Sequence, residues 1–218
     1  FRKGAKNMSY ISESRQLAAE TLKKNFAKRG MEAFYCETKE EACKLILSMI
    51  PSGASVTWGG TESMAEAGVC EAVEKGDYDF IDRRNAKTPE EARALYGKIV
   101  CADYFLTSTN AFTKAGELVN IDGASNRVAC IAHGPAHVIV LASMDKLCST
   151  VEDAILRIHT MACPPNAIRV GAKTPCAKTG VCADCLSPDC ICCQTLITRF
   201  SRNPDRIKIV LCNEKLGF

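Results

Sequence analysis

Thiols are the most reactive side chains in this sequence, and they crowd toward one end of it. Cys176, Cys182, Cys185, Cys190, Cys192 and Cys193 all fall in the stretch 174–194. The spacing Cys176-x5-Cys182-x2-Cys185-x6-Cys192 offers four soft thiolates, two of them in a Cys-x2-Cys knuckle, a donor set suited to tetrahedral Zn²⁺ or an iron–sulfur cluster of the [4Fe–4S] type. It departs from the Cys-x2-Cys-x2-Cys run of bacterial ferredoxins, so zinc, a cluster and a set of local disulfides stay open at this point. Cys36, Cys43, Cys70, Cys101, Cys130, Cys148 and Cys163 are instead spread singly through apolar sequence and read as buried thiols acting as small hydrophobes. Phe1 to Tyr10 has no apolar signal-peptide core, and Met8 suggests that the first residues are an extension. A dense thiol tract in such a chain points to a metal in a reducing, cytoplasmic setting.

Three polar turns are the other candidates. In Trp58-Gly59-Gly60-Thr61-Glu62-Ser63, Gly59 and Gly60 let the backbone approach an anion, while Thr61, Ser63 and the following N–H groups can donate to it. The same residues also make a tight turn with Thr61 as a helix cap, and no P-loop lysine follows. Thr107-Ser108-Thr109-Asn110, with Lys114 nearby, can orient a polar ligand through Thr107 and Asn110, or be a simple polar turn. In Asn120-Ile121-Asp122-Gly123-Ala124-Ser125-Asn126-Arg127, the Asp122 carboxylate can serve as a general base or orient the Arg127 guanidinium, with a hairpin turn as the alternative. His133 and His137 bracket Gly134-Pro135, which forbids the helix that a His-x3-His metal pair needs, so they read as turn residues. Asp145-Lys146 follows a strand and could meet a ligand, with a surface ion pair as the ordinary explanation.

These turns need strands and helices to hold them. Ile11, Ala18, Leu22 and Phe26 at helical spacing, closed by Gly30, predict a helix over 9–29. Met31 to Cys36 is a short strand, and the capping box Thr38/Glu41 opens a helix with Ala42, Leu45, Ile46 and Met49 inward that stops at Pro51. Ala54 to Trp58 is a buried strand, followed by a short helix through Ala67, a strand over Asp77 to Asp82, and a helix opened by Thr88-Pro89-Glu90-Glu91. Tyr104–Thr107, Leu118–Ile121, Val128–Ile131 and Val138–Leu141 read as central strands. Thr150 and Asp153 cap a helix carrying Val151, Ala154, Ile155 and Ile158, with Pro164-Pro165 beyond its end, and Thr195–Arg199 and Ile207–Leu211 are the last strands. Helices alternating with short apolar strands predict an α/β fold with a mostly parallel, Rossmann-like sheet covered by helices on both faces, plus an antiparallel portion where strands follow one another directly.

Composition limits the partners. With 47% hydrophobic and 24% charged residues, the 218-residue chain is of ordinary globular type, and one domain spanning 1–218 is expected. A net charge of +3, scattered along the chain, favours small ligands over nucleic acid, and no apolar run is long enough for a membrane span. The residues leave open whether the protein is a homo-oligomer.

Several segments, in order, resemble the LUD (lactate utilisation) domain family. They are Val56-Thr57-Trp58-Gly59-Gly60-Thr61-Glu62-Ser63, Ala102 to Ala111, Gly116 to Gly123, Asn126-Arg127-Val128-Ala129, Gly134-Pro135 and Pro175 to Cys185. The resemblance covers nearly the whole chain. It implies a NagB/RpiA/CoA transferase-like fold, that of the ribose-5-phosphate isomerase and CoA transferase-like superfamily. Some members of the family belong to systems that oxidise lactate to pyruvate with separate iron–sulfur or electron-transfer subunits. This sequence departs from the pattern at Ala124-Ser125, where a second glycine is usual before Asn126. By resemblance, Gly59, Gly60, Thr61 and Ser63 would cradle a small anionic or phosphorylated metabolite, and Thr107 and Asn110 would orient it. Asn126 and Asp122 would complete the pocket, with Asp122 or Glu117 as the working carboxylate. An enzyme acting on sugar phosphates or acyl-CoA-like substrates is the second expectation, and a metal-carrying interaction subunit of an electron-transfer complex is the third.

Overall fold

The first helix, α1 (Tyr10–Ala27), is capped by the Ser9 side chain, and it packs Ala19, Leu22 and Phe26 inward while Ile11, expected on the same face, points to solvent. The computed structural model describes residues 9–218, so the readings made for Phe1 to Met8 lie outside the described residues. Gly30, with φ of 68°, turns the chain from α1 into strand β1 (Glu32–Cys36). Helix α2 (Lys39–Ser48) starts where expected, with the Thr38 hydroxyl accepting from the Glu41 N–H. Strand β2 (Ser55–Trp58), the short helices α3 (Glu62–Glu66) and α4 (Val69–Lys75), and a two-residue strand β3 (Asp79–Phe80) follow. Helix α5 (Pro89–Val100) has Thr88 as its cap and proline in its first turn. Then come β4 (Tyr104–Thr107), β5 (Ala111–Thr113), β6 (Leu118–Asp122), helix α6 (Asn126–Ala132), β7 (His137–Ser143) and β8 (Leu147–Cys148).

The remaining elements are α7 (Val151–Arg157), α8 (Cys163–Arg169), α9 (Pro175–Thr179), β9 (Gln194–Thr198) and β10 (Ile207–Cys212). The main sheet runs β1-β10-β7-β4-β2-β3, with every pair parallel. The antiparallel portion forms a second sheet, β8-β5-β6-β9, in which β6 pairs antiparallel with both β5 and β9. Strand β7 is central and buried on both faces. Its Val138, Val140 and Ala142 enter the apolar layer beneath α1, whereas Ile139 and Leu141 enter the layer beneath α2, as the two-residue period of a strand requires. A third apolar cluster joins β5 and β6 to α7, through Ala111, Val119, Ile121, Ala154 and Ile158. Among the described residues, no helix is long and apolar enough to cross a membrane.

Two expected elements differ. Val128–Ile131, read as a strand, lies in α6, where Val128 and Ile131 are buried at helical spacing. The Asp122 carboxylate starts that helix by accepting from the Arg127 and Val128 N–H groups, and a four-residue apolar run does not by itself distinguish strand from buried helix. Pro164-Pro165, read as lying past a helix end, sits in the first turn of α8, and a π-helical turn over Ile158–Ala162 joins α7 to α8. In that turn the Cys163 N–H bonds the Ile158 carbonyl. Two successive prolines cannot donate to carbonyls four residues back, and the widened turn immediately before them accommodates the break.

The turn at Gly30 is tightly fitted, because a Cβ there would overlap the Ser201 carbonyl oxygen and the φ of 68° is unfavourable to other residues. Gly30→Ala is therefore expected to lower the unfolding free energy by about 2 kcal/mol or more, measured from the urea midpoint.

Candidate functional site

The loops at the carboxyl ends of β2, β4, β6 and β7 meet around one pocket of about 320 Å³, the position where open α/β sheets collect ligands. Gly60, Asn110 and Asp122, from three separate turns, all line it. At its base the Arg127 guanidinium donates to the Asn120 side chain at 2.7 Å, the Asn110 side chain at 2.7 Å, the Ile121 carbonyl at 2.8 Å and the Ser108 carbonyl at 3.3 Å. It thereby ties the turn after β4 to strand β6. Burial lowers its pKa, opposed by the Asp122 charge.

The turn residues take different roles around this guanidinium. Asn110 Oδ1 also accepts from the Ile121 N–H at 3.0 Å, which leaves the Asn110 amide nitrogen as its group for a ligand. Asp122 Oδ2 accepts from the Arg127 and Val128 N–H groups, and among the described residues Oδ1 takes no protein hydrogen bond. Asn126 lines the same wall, with Oδ1 accepting from the Arg127 N–H. Gly59 does not line this pocket. It lets Arg127 pass, since a Cβ there would come within 3.2 Å of Arg127 Cγ and Phe105 Cζ. Gly60 and Thr61 line the opening, and Thr61 also caps α3. Ser125 has a left-handed backbone, φ of 64°, which explains why a glycine suits the turn before Asn126.

Lys146, for which sequence favours a surface ion pair over a ligand contact, lines the pocket. Asp145 instead pairs with Arg15, and Lys146 turns inward, 4% exposed. Its Nζ lies 3.0 Å from Ser108 Oγ and 3.2 Å from Ser63 Oγ. Ser63 is accordingly a buried partner of the lysine and of the Leu216 carbonyl. Burial, followed by the Arg157 and Arg127 charges, pushes the Lys146 pKa down to about 7. Arg83 and Arg169 stand at the rim, the latter paired with Glu62 at 3.2 Å.

Besides Gly59, two further expected site residues lie outside the pocket lining. Thr107 is fully buried beneath the turn, its hydroxyl donating to the Ser108 carbonyl. Glu117 is held by Arg29 and the Thr113 hydroxyl in the second sheet, outside the pocket lining.

The cysteine tract encloses a separate cavity of about 360 Å³, lined by Cys176, Cys182, Cys185 and Cys192 together with Cys163, Cys190, Cys193 and His159. Its most compact ligand group is His159, Cys163 and Cys192, whose ligand atoms lie within 4.8 Å of one another. The Cys192 thiol donates to Cys163 Sγ at 3.2 Å, and that bond together with burial pushes the Cys192 pKa up. Cys182 Sγ is 3.7 Å from His159 Nδ1, and Cys176 Sγ is 3.2 Å from the Thr174 hydroxyl. Of the four expected ligands, only Cys192 is in the compact group. The others there come from the helix that was expected to end before Pro164, and the spacing His159-x3-Cys163 was the available signal. All fourteen cysteines are free thiols.

A family model described as "LUD domain" matches residues 19–212. Among solved structures, the chain is similar to a duf162 family protein from Deinococcus radiodurans, with a TM-score of 0.56 at 11% identity over 91% of this chain and 98% of the other. It is also similar to ribose 5 phosphate isomerase A from Neisseria gonorrhoeae, with a TM-score of 0.33 at 12% identity over 52% of this chain and 54% of the other. A comparison with curated proteins found no match.

Two consequences of the geometry can be measured. Arg127→Lys supplies a cation without the planar fork and leaves carbonyl and amide oxygens unpaired, so it is expected to cost about 2–4 kcal/mol in denaturant unfolding. Lys146 has a folded-state pKa below its ordinary 10.5, so the stability held by its neutral form is present above that value and lost as pH falls through about 7. Wild type minus Lys146→Met should therefore gain about 1 kcal/mol per pH unit between roughly pH 7 and pH 9 in urea titrations.

Proposed function

This chain belongs to the LUD domain family, and we propose that it binds a small anionic metabolite, a carboxylate or phosphate ester, in the pocket above Arg127. The observation that carries this reading is a set of cations lacking anionic partners. Among the described residues, Arg127, Lys146, Arg157 and Arg83 form no ion pair within 4.0 Å, and Lys146 is buried. An enclosed unpaired charge is costly, and a ligand carboxylate or phosphate would offset that cost. Lys146 and Arg83 would hold the charge, the Asn110 amide would orient the ligand, and Arg127 would keep the turns in place.

The reading extends to lactate utilisation. Oxidising a 2-hydroxy acid to a 2-oxo acid releases two protons and two electrons. Asp122 Oδ1 is the base available to take the hydroxyl proton, fixed in place because Oδ2 is held by two N–H groups. The Cα–H bond also breaks, and its hydrogen leaves with both electrons as a hydride; we assign its acceptor, a two-electron carrier, to a separate electron-transfer subunit, from which iron–sulfur centres would take the electrons singly.

Thermal-shift measurements with lactate, pyruvate and ribose 5-phosphate test the pocket. A probe present at a hundred times its Kd is expected to add about 2.7 kcal/mol, and Lys146→Met is expected to weaken that probe's binding about tenfold or more. Because an anion favours the charged lysine, affinity should be flat below about pH 7 and fall up to tenfold per unit above it, with proton uptake seen calorimetrically in buffers of different ionisation enthalpy. No shift with any of the three probes would remove the proposal.

A further inference from the structure

The cysteine cavity carries a second assignment, independent of the anion pocket. We infer that His159, Cys163, Cys182 and Cys192 form a Cys3His site for a single zinc ion. Two atoms bound to one ion cannot be farther apart than the sum of their bond lengths, about 4.6 Å for two thiolates. His159, Cys163 and Cys192 already approach that limit, with their ligand atoms within 4.8 Å of one another. A regular tetrahedron places two sulfurs about 3.8 Å apart and a sulfur and an imidazole nitrogen about 3.5 Å apart. The corresponding separations are 3.2 Å for Cys163 and Cys192 and 3.7 Å for Cys182 and His159; Cys182 lies outside the compact group of three, and its side chain, in a segment without helix or strand, would have to turn toward Cys163 and Cys192 to complete the set.

The backbone supports this grouping. The π turn over Ile158–Ala162 precedes α8 and sets His159 and Cys163 on the side facing the tract, and such turns occur often at functional sites. Cys182 and Cys192 come from segments without helix or strand, which lack a ladder of their own to fix them. A metal would clamp both segments to the helix. Three thiolates with one imidazole suit a soft, closed zinc site, and the coordinating cysteines would bind as thiolates, releasing their protons.

The clamp reaches the wall of the anion pocket. Ile191, next to Cys192, lines both cavities, and a Cβ on Gly123 would lie 2.9 Å from Ile191 Cα. The Cys193 N–H donates to the Asp122 carbonyl at 3.0 Å. The ion is a structural brace on this reading, and it does not touch the ligand.

The test is metal content of the full chain purified anaerobically under reductant. One zinc per chain is expected, retained in Cys185→Ser and Cys193→Ser and lost in Cys163→Ser and His159→Ala. Ligand variants can fail to fold, so wild-type chain is also stripped with a chelator and refilled with Co²⁺. Intense tetrahedral visible bands with a thiolate charge-transfer band are expected, weakened in Cys182→Ser. Iron with acid-labile sulfide, zinc retained by Cys163→Ser, zinc lost by Cys185→Ser, or a metal-free chain carrying a Cys163–Cys192 disulfide by mass spectrometry would each overturn the assignment.

Discussion

One guanidinium holds the candidate site in shape. The Arg127 fork reaches acceptors on the turn after β4 and on strand β6, elements that belong to different sheets, and so it fixes how the two sheets meet. Hydrogen bonds from a charged donor are worth roughly 1.5–3 kcal/mol each when buried, and leaving the acceptors unmade costs about as much. Several sequence choices follow from this placement. Gly59 must lack a side chain because the arginine stem passes against it, Asn110 and Asn120 must present oxygens, and Asp122 must start α6 so that Arg127 points inward.

Positive charge then accumulates where there is little to neutralise it. Lys146 is buried behind the arginine with two serine hydroxyls for company, and the nearby guanidiniums disfavour its proton. Hydroxyls solvate an amine without cancelling a charge. For the anion we propose, such a pocket would be organised in advance, and the reorganisation cost on binding would be correspondingly small.

Features written in local sequence were legible from it. The Thr38, Thr88 and Thr150 caps depend on residues three apart, and β2, β4, β7 and β10 depend on short apolar runs, so each was readable without knowledge of the fold. The convergence of Gly60, Asn110 and Asp122 followed from the rule that ligands gather at strand ends. Other features are set by distant partners. Val128–Ile131 is helical because Asp122 caps it, Lys146 is inward because Arg15 takes Asp145, and Glu117 is a structural ion pair because α1 brings Arg29 to it. The importance of His159 and Cys163 stayed hidden because the double proline suggests an ended helix, whereas a π turn carries it through.

Strand β10 has a consequence for how the chain must mature. It lies between β1 and β7, so among the described residues the first strand finds its hydrogen-bonding neighbour only in residues 207–212. On the ribosome, β1 waits without this partner while β7 presents an open, strongly apolar edge, and the contacts that complete the sheet join Glu32–Cys36 to Lys208–Cys212 across the intervening chain. Such long-range closure slows folding and leaves strand edges open to edge-to-edge association until the last strand is added.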